Sequence, residues 1–133
     1  EMVFGSRVKM MGRDVQRRAA RHYFGRALAT GASIVLGLPI YDTQCGAKLF
    51  RVTDTLRAIF KDPFLTTWVF DVELIARFLK LRDRAEIQAV GGVITELALP
   101  SWHHVEGSKI KLRDSVGAIV DLLRIYWAYR QCL

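Results

Sequence analysis

The chain has 133 residues, and its 25% charged content is ordinary for a folded domain. That length supports one domain with one core, residues 1–133, rather than two. Twenty Lys and Arg against 13 Asp and Glu give a net charge of +7 and a pI near 9.9, so phosphate-rich partners are favoured: nucleic acid, anionic lipid or phosphorylated small molecules. Cys45 and Cys132 form no CxxC pair and no metal spacing with His22, His103 and His104. No metal site is read from them. Reduced thiols in a cytosol-facing protein are the simple reading, with Cys45 a small buried hydrophobe.

In chain order, residues 2–5 read as a strand that stops at the Gly5-Ser6 turn, with nothing before it to pair with. No charged leader with a long apolar run is visible at the start. Asp14 is placed to cap a helix running through Leu28. The weakly polar stretch 27–41 holds Gly31, Gly37 and Pro39 and falls short of the ~20 apolar residues that cross a bilayer. Pro39 and the turn set Asp42-Thr43-Gln44-Cys45-Gly46 end this region. Residues 47–52 alternate as a short strand, and Thr53-Asp54 cap a short helix that stops near Asp62-Pro63. From Phe70, the recurrence of Val72, Leu74, Ile75, Phe78, Leu79 and Leu81 predicts a second helix with an apolar stripe. Residues 85–99, split by Gly91-Gly92, predict two strands and a turn closed by Pro100. A polar loop over 101–109 then leads to a last helix over about 114–130. Alternating helices and strands make the chain α/β, with an incomplete sheet flanked by helices. The opening strand, lacking neighbours, is an unpaired edge that invites pairing with a second copy, so a homo-oligomer is expected.

Several groups could carry chemistry. Arg7 stands at the carboxyl end of the first strand, where α/β sheets place anions, although an Arg after a turn is also an ordinary surface residue. Arg13, Arg17 and Arg21 follow at steps of four and share one stripe with Phe24 and Leu28. This cationic-to-apolar gradient suits an anionic membrane surface. It also suits a helix whose second half is buried, and the two readings are compatible. In the final helix, Ile119, Leu123, Tyr126 and Trp127 recur at steps that offer a second membrane contact. Trp68, Asp71 and Glu73 open the second helix. An aromatic beside acids fits a sugar site, while acids in a first turn are favoured by the helix dipole alone. Trp102 and Glu106-Gly107-Ser108-Lys109 form a loop of a kind that holds phosphates, and that is equally a plain surface loop. Nucleic-acid binding has little support, because the aromatics do not interleave with the cations as a stacking platform requires.

Four ordered blocks are similar to one family: Gly5-Ser6-Arg7, then Asp42-Thr43-Gln44-Cys45-Gly46-Ala47-Lys48-Leu49-Phe50, then Trp68-Val69-Phe70-Asp71-Val72-Glu73-Leu74, then Glu106-Gly107-Ser108-Lys109. They resemble the dolichyl-phosphate glucosyltransferases of glycosyltransferase family 2, and more loosely dolichyl-phosphate mannose synthases and bacterial polyprenyl-phosphate glycosyltransferases. The resemblance implies the C-terminal, acceptor-binding half of a GT-A, Rossmann-like fold. It implies inverting transfer of a hexose from a nucleotide sugar to a polyprenyl or dolichyl phosphate at the cytoplasmic face of a membrane. Arg7 and Arg26 then fall at the acceptor phosphate, Ser108 and Lys109 on a loop that closes over phosphates, and Asp42, Gly46 and Trp68 shape the acceptor side. Asp71 is a base or orients the acceptor. Magnesium or manganese would serve the complete enzyme, but no D-x-D occurs in these 133 residues, so no cofactor site is assigned here and binding of a nucleotide sugar by this chain alone is not expected. Ala47 stands where the family has Phe or Arg, and residues 81–99 run longer than the family's spacing. A reading from another class remains: a non-catalytic basic module for anionic lipid or phosphorylated ligands.

Overall fold

A computed structural model describes residues 1–16, 19–82, 92–103 and 112–131. The elements are β1 (Met2–Ser6), β2 (Asp14–Val15), α1 (Ala19–Leu36), β3 (Lys48–Phe50), α2 (Asp54–Ile59), α3 (Phe70–Leu81), β4 (Ile94–Ala98), β5 (Ser101–Trp102) and α4 (Leu112–Tyr129). The α/β class expected from the sequence holds.

β1 is the middle of a three-stranded sheet in the order β3-β1-β4, antiparallel to β3 and parallel to β4. The expectation of an unpaired opening strand is therefore wrong. Both of its edges are occupied, and β3 and β4 are the outer strands among the described residues. Self-association through residues 2–5 loses its basis. Because side chains alternate along a strand, Met2 and Phe4 point to the inner face, where they join one apolar core with Leu28, Ala32 and Leu36 of α1, Val72 and Ile75 of α3, and Leu122 and Ile125 of α4. Leu49 and Leu97 lie on the opposite face and are exposed.

Asp14 does not cap a helix. Its N–H donates to the Pro100 carbonyl (3.0 Å), and Gln16 N–H donates to the Trp102 carbonyl (2.8 Å), so β2 and β5 form a second, parallel ladder. A cap residue directly precedes its helix and accepts from the first turn through its side chain, whereas Asp14 stands in β2, its carboxylate accepts from Gln16 Nε2 at 3.1 Å, and α1 begins only at Ala19. α1 begins at Ala19 and runs past Leu28 to Leu36, where Gly37 supplies the left-handed turn (φ 61°) that terminates it. Arg13 is thus off the helix, and the stripe through Arg13, Arg17 and Arg21 is broken at its start. Leu28 is core, and Phe24 stacks on Trp68 with ring centroids 6.0 Å apart. Arg17 lies outside the described residues, as does the side chain of Arg21. Of the two strands expected over 85–99, the second is β4, and the first falls mostly outside the described residues.

α3 is fastened by a carboxylate with no exposure. Glu73 accepts from the Leu65 and Thr66 N–H groups (2.8 and 3.2 Å), from Arg77 Nη2 (2.8 Å) and from the Tyr129 hydroxyl (3.1 Å). Arg77 also donates to the carbonyls of Ile59, Asp62 and Pro63 (2.7, 2.7 and 2.6 Å) and lies over the Phe64 ring. Burial alone would lower the Arg77 pKa, but Tyr129 and Glu73 reverse this and hold it above its ordinary value. Removing one partner of such a pair leaves the other buried and unpaired, which costs about 3–5 kcal/mol. Arg77→Ala should therefore lower the unfolding free energy by about that amount in urea denaturation. A loss under about 1 kcal/mol would mark the pair as a surface-like contact.

Candidate functional site

The site grows from the end of β1. The turn over residues 42–47 lies against this strand: Gly5 N–H donates to the Ala47 carbonyl (2.7 Å), and a Cβ on Gly5 would stand 2.9 Å from that of Ala47 and 3.2 Å from Cys45 Sγ. Only glycine permits that approach. Gly46, expected to shape the turn, is exposed, has room for a Cβ and does not have a left-handed φ. The constraint sits one strand away, at Gly5.

This contact brings Arg7 to Asp42. Arg7 Nε and Nη2 grip the two carboxylate oxygens (2.7 and 2.8 Å), and its backbone N–H adds a third bond at 3.1 Å. Burial lowers the Arg7 pKa, and the hydrogen bonds and attraction of Asp42 more than offset it, so Arg7 stays cationic. Its guanidinium also stands 5.3 Å from the Trp102 ring centroid. The neighbouring residue holds the second arginine: Arg26, from α1, donates to the Tyr41 carbonyl (3.0 Å) and lies 3.9 Å over the Tyr41 ring. Tyr41 and Asp42 are pinned in turn by Glu96 of β4, whose carboxylate accepts both backbone N–H groups at 2.8 Å. Two arginines assigned to one acceptor phosphate thus meet at one dipeptide.

Asp71 is held on the other side of the turn. Lys48 Nζ lies 3.0 Å from one of its carboxylate oxygens, and Gln44 donates to the other at 3.1 Å. Lys48 also donates to the Cys45 carbonyl and sits over the Phe4 ring. The helix-dipole account of Asp71 and Glu73 is therefore incomplete, since each has its own side-chain cation. Trp68 stacks on Phe24, and no described contact joins it to Arg7 or Arg26. Ser108 and Lys109 lie outside the described residues. Cys45 is a buried free thiol, as the sequence suggested. Among the described residues no three His, Cys, Asp or Glu side chains gather as a metal site.

Comparison with curated proteins bears on what this site belongs to. The chain is 36% identical to the dolichyl-phosphate beta-glucosyltransferase of Saccharomyces cerevisiae over 133 residues, covering 96% of this chain and 36% of that one. It is 32% identical to one from Trichomonas vaginalis over 135 residues, covering 97% and 36%. The human dolichyl-phosphate beta-glucosyltransferase is 36% identical over 98 residues, or 69% and 26%. This chain is homologous to a segment of the dolichyl-phosphate beta-glucosyltransferases. It spans little more than a third of the length of those from yeast and Trichomonas vaginalis. No protein-family model and no solved structure matches it.

Sequence reasoning assigned no role to Lys48, Tyr41 or Glu96. For Glu96 a signal existed: it shares strand parity with Ile94 and Ala98, the inward-facing positions of β4, a face that is otherwise apolar. A carboxylate at such a position needs a partner.

The Asp71 carboxyl is pushed above its ordinary 3.8 by burial, which Lys48 offsets only in part. The native state therefore binds this proton more tightly than the unfolded chain does. The contribution of Asp71 to stability is full below 3.8 and is lost as pH rises through the raised value. Across a pH series, the unfolding free energy of wild type minus that of Asp71→Asn should decline as pH rises through this window. A difference that climbs would mean that attraction to Lys48 outweighs burial.

Proposed function

We propose that the chain is the acceptor-binding, C-terminal part of a GT-A-fold glycosyltransferase that moves a hexose from a nucleotide sugar to a polyprenyl or dolichyl phosphate with inversion. The observation that carries this reading is the meeting of Arg7 and Arg26 at Tyr41-Asp42. The names of relatives similar to this chain over nearly its whole length support it: they are dolichyl-phosphate beta-glucosyltransferases. A phosphate oxygen of the acceptor attacks the anomeric carbon, the bond from that carbon to the nucleoside diphosphate breaks, and the diphosphate leaves with the electron pair. The acceptor is already an anion, so no strong general base is needed. The task of this part is to hold a phosphate by charge and geometry, which Arg7 and Arg26 supply. Asp71, bound to Lys48 and Gln44, orients that side of the site, and Ser108 and Lys109 close over the phosphates. Magnesium or manganese, with the nucleotide sugar, belongs to the remainder of the complete enzyme.

In the complete enzyme, Arg7→Ala combined with Arg26→Ala should abolish transfer to the lipid phosphate while binding of the nucleotide sugar, measured by calorimetry, stays within about twofold. Equal loss of both would put the arginines elsewhere in the reaction.

A lipid acceptor also implies contact with an anionic membrane, peripheral and at its cytoplasmic face. Among the described residues no helix is long and apolar enough to cross a bilayer. Support for a surface contact comes from α4: Ala118, Leu122 and Ile125 face the core, while Ile119, Leu123, Tyr126 and Trp127 are exposed on the other side, with Arg124 and Arg130 at its margin. Arg130 lies 4.6 Å over the Trp127 ring, an aromatic-cation arrangement suited to headgroup depth. The contact thus rests on α4 more than on the broken arginine stripe. The chain should sediment with anionic vesicles at low salt and be released as salt rises. Ile119→Ser, Leu123→Ser and Trp127→Ser together should prevent sedimentation, and unchanged sedimentation would rule out this face.

A further inference from the structure

The two arginines are long side chains from different elements, Arg7 at the end of β1 and Arg26 on α1. Each is held by something on a two-residue loop segment: Arg7 by the Asp42 carboxylate, Arg26 by the Tyr41 carbonyl and ring. A loop segment positions nothing unless it is itself fixed. Within this dipeptide both backbone N–H groups go to one acceptor, the Glu96 carboxylate, one oxygen to each at 2.8 Å. Glu96 in turn sits on a strand that cannot shift alone, because β4 pairs with β1 through five residues and Leu99 N–H donates to the Ser6 carbonyl at 2.9 Å. The bonds form a closed ring: β1 leads to Arg7, Arg7 to Asp42, Asp42 to Glu96, and Glu96 through β4 back to β1.

We propose that Glu96 is the positioning residue of the acceptor site, setting through the backbone of Tyr41 and Asp42 where both guanidinium groups stand. This rests on the reading of Arg7 and Arg26 as the phosphate-binding pair. Glu96 donates nothing to a phosphate and, as an anion, would repel one. Its contribution is indirect: two N–H donors are aligned by one rigid acceptor, which a neutral amide cannot replace because its NH2 group would face one of them. Glu96→Gln therefore frees one end of the dipeptide while keeping the size of the side chain.

The test uses the 133-residue chain with inorganic phosphate and a short, water-soluble polyprenyl phosphate as probes. Three quantities are read for wild type, Glu96→Gln and Glu96→Asp: melting temperature, probe affinity, and solvent-exchange protection of the Arg7 Nε–H, identified by its loss in Arg7→Lys. Thr53→Ala serves as the control, since it removes the α2 N-cap and so lowers the melting temperature away from the site. Glu96→Gln should weaken probe binding about tenfold and strip the Nε–H protection, Glu96→Asp should do so partly, and the control should keep both. Should Glu96→Gln not fold, Glu96→Asp reads the same two signals. The proposal is overturned if the Glu96 variants keep affinity and protection, or if the control loses as much affinity for the same drop in melting temperature. If wild type binds neither probe while the protection still collapses in Glu96→Gln, the phosphate-site reading fails. Glu96 is then only a structural brace, and its functional role is overturned with it.

Discussion

The Glu73 carboxylate, buried without exposure, is the constraint on which the rest of the structure depends. A charge removed from water must be matched almost completely, and Glu73 meets that need by drawing in the residue 65–66 backbone, Arg77 and Tyr129. Arg77 passes the constraint on to the carbonyl of Ile59 at the end of α2 and to those of Asp62 and Pro63 in the loop that follows. One ion pair thus sets the loop before α3 and the end of α4. With α4 held from its last turn, the side that carries Ala118, Leu122 and Ile125 is committed to the core, and the side that carries Ile119, Leu123 and Trp127 is left outside.

The same rule organises the candidate site at smaller scale. Arg7 with Asp42 and Lys48 with Asp71 are two largely buried pairs on either side of one turn, drawn close by the absence of a side chain at Gly5. Pairing has a cost for function, since a cation bound to a carboxylate has less charge to offer a ligand. Arg7 uses Nε and Nη2 on Asp42, so a phosphate would share it rather than capture it. Pre-aligned charges of this kind are favoured where geometry matters more than raw attraction. An acceptor that is already ionised presents that case.

How much of this was legible in the sequence varies with the range of the interaction responsible. α3 was readable because its apolar spacing from Val72 to Leu81 is local, and the short helix after Thr53 because its cap is a side-chain bond to Leu56 N–H three residues on. The position of β1 was not, because a strand's neighbours are chosen by partners such as Phe50 and Ile94, far along the chain. Asp14 misled for the same reason: a good cap residue was drawn into a ladder with Ser101 and Trp102. At the site, Arg7 and Arg26 were assigned by resemblance to family motifs. Glu96, Tyr41 and Lys48 act through contacts up to 55 residues apart that no short motif displays. Only the carboxylate on the otherwise apolar inner face of β4 hinted at one of them.

The central claim is that Arg7, Arg26 and the Tyr41-Asp42 dipeptide form one site for a lipid phosphate. It is tested most directly by following backbone and arginine side-chain resonances of the chain during titration with a short-chain polyprenyl phosphate, with the corresponding uncharged polyprenol as control. The account predicts saturable shifts concentrated at Arg7, Arg26, Tyr41 and Asp42 with the phosphate and none there with the alcohol. Shifts spread over exposed cations such as Arg57 and Lys61, without saturation and without those four residues, would contradict it.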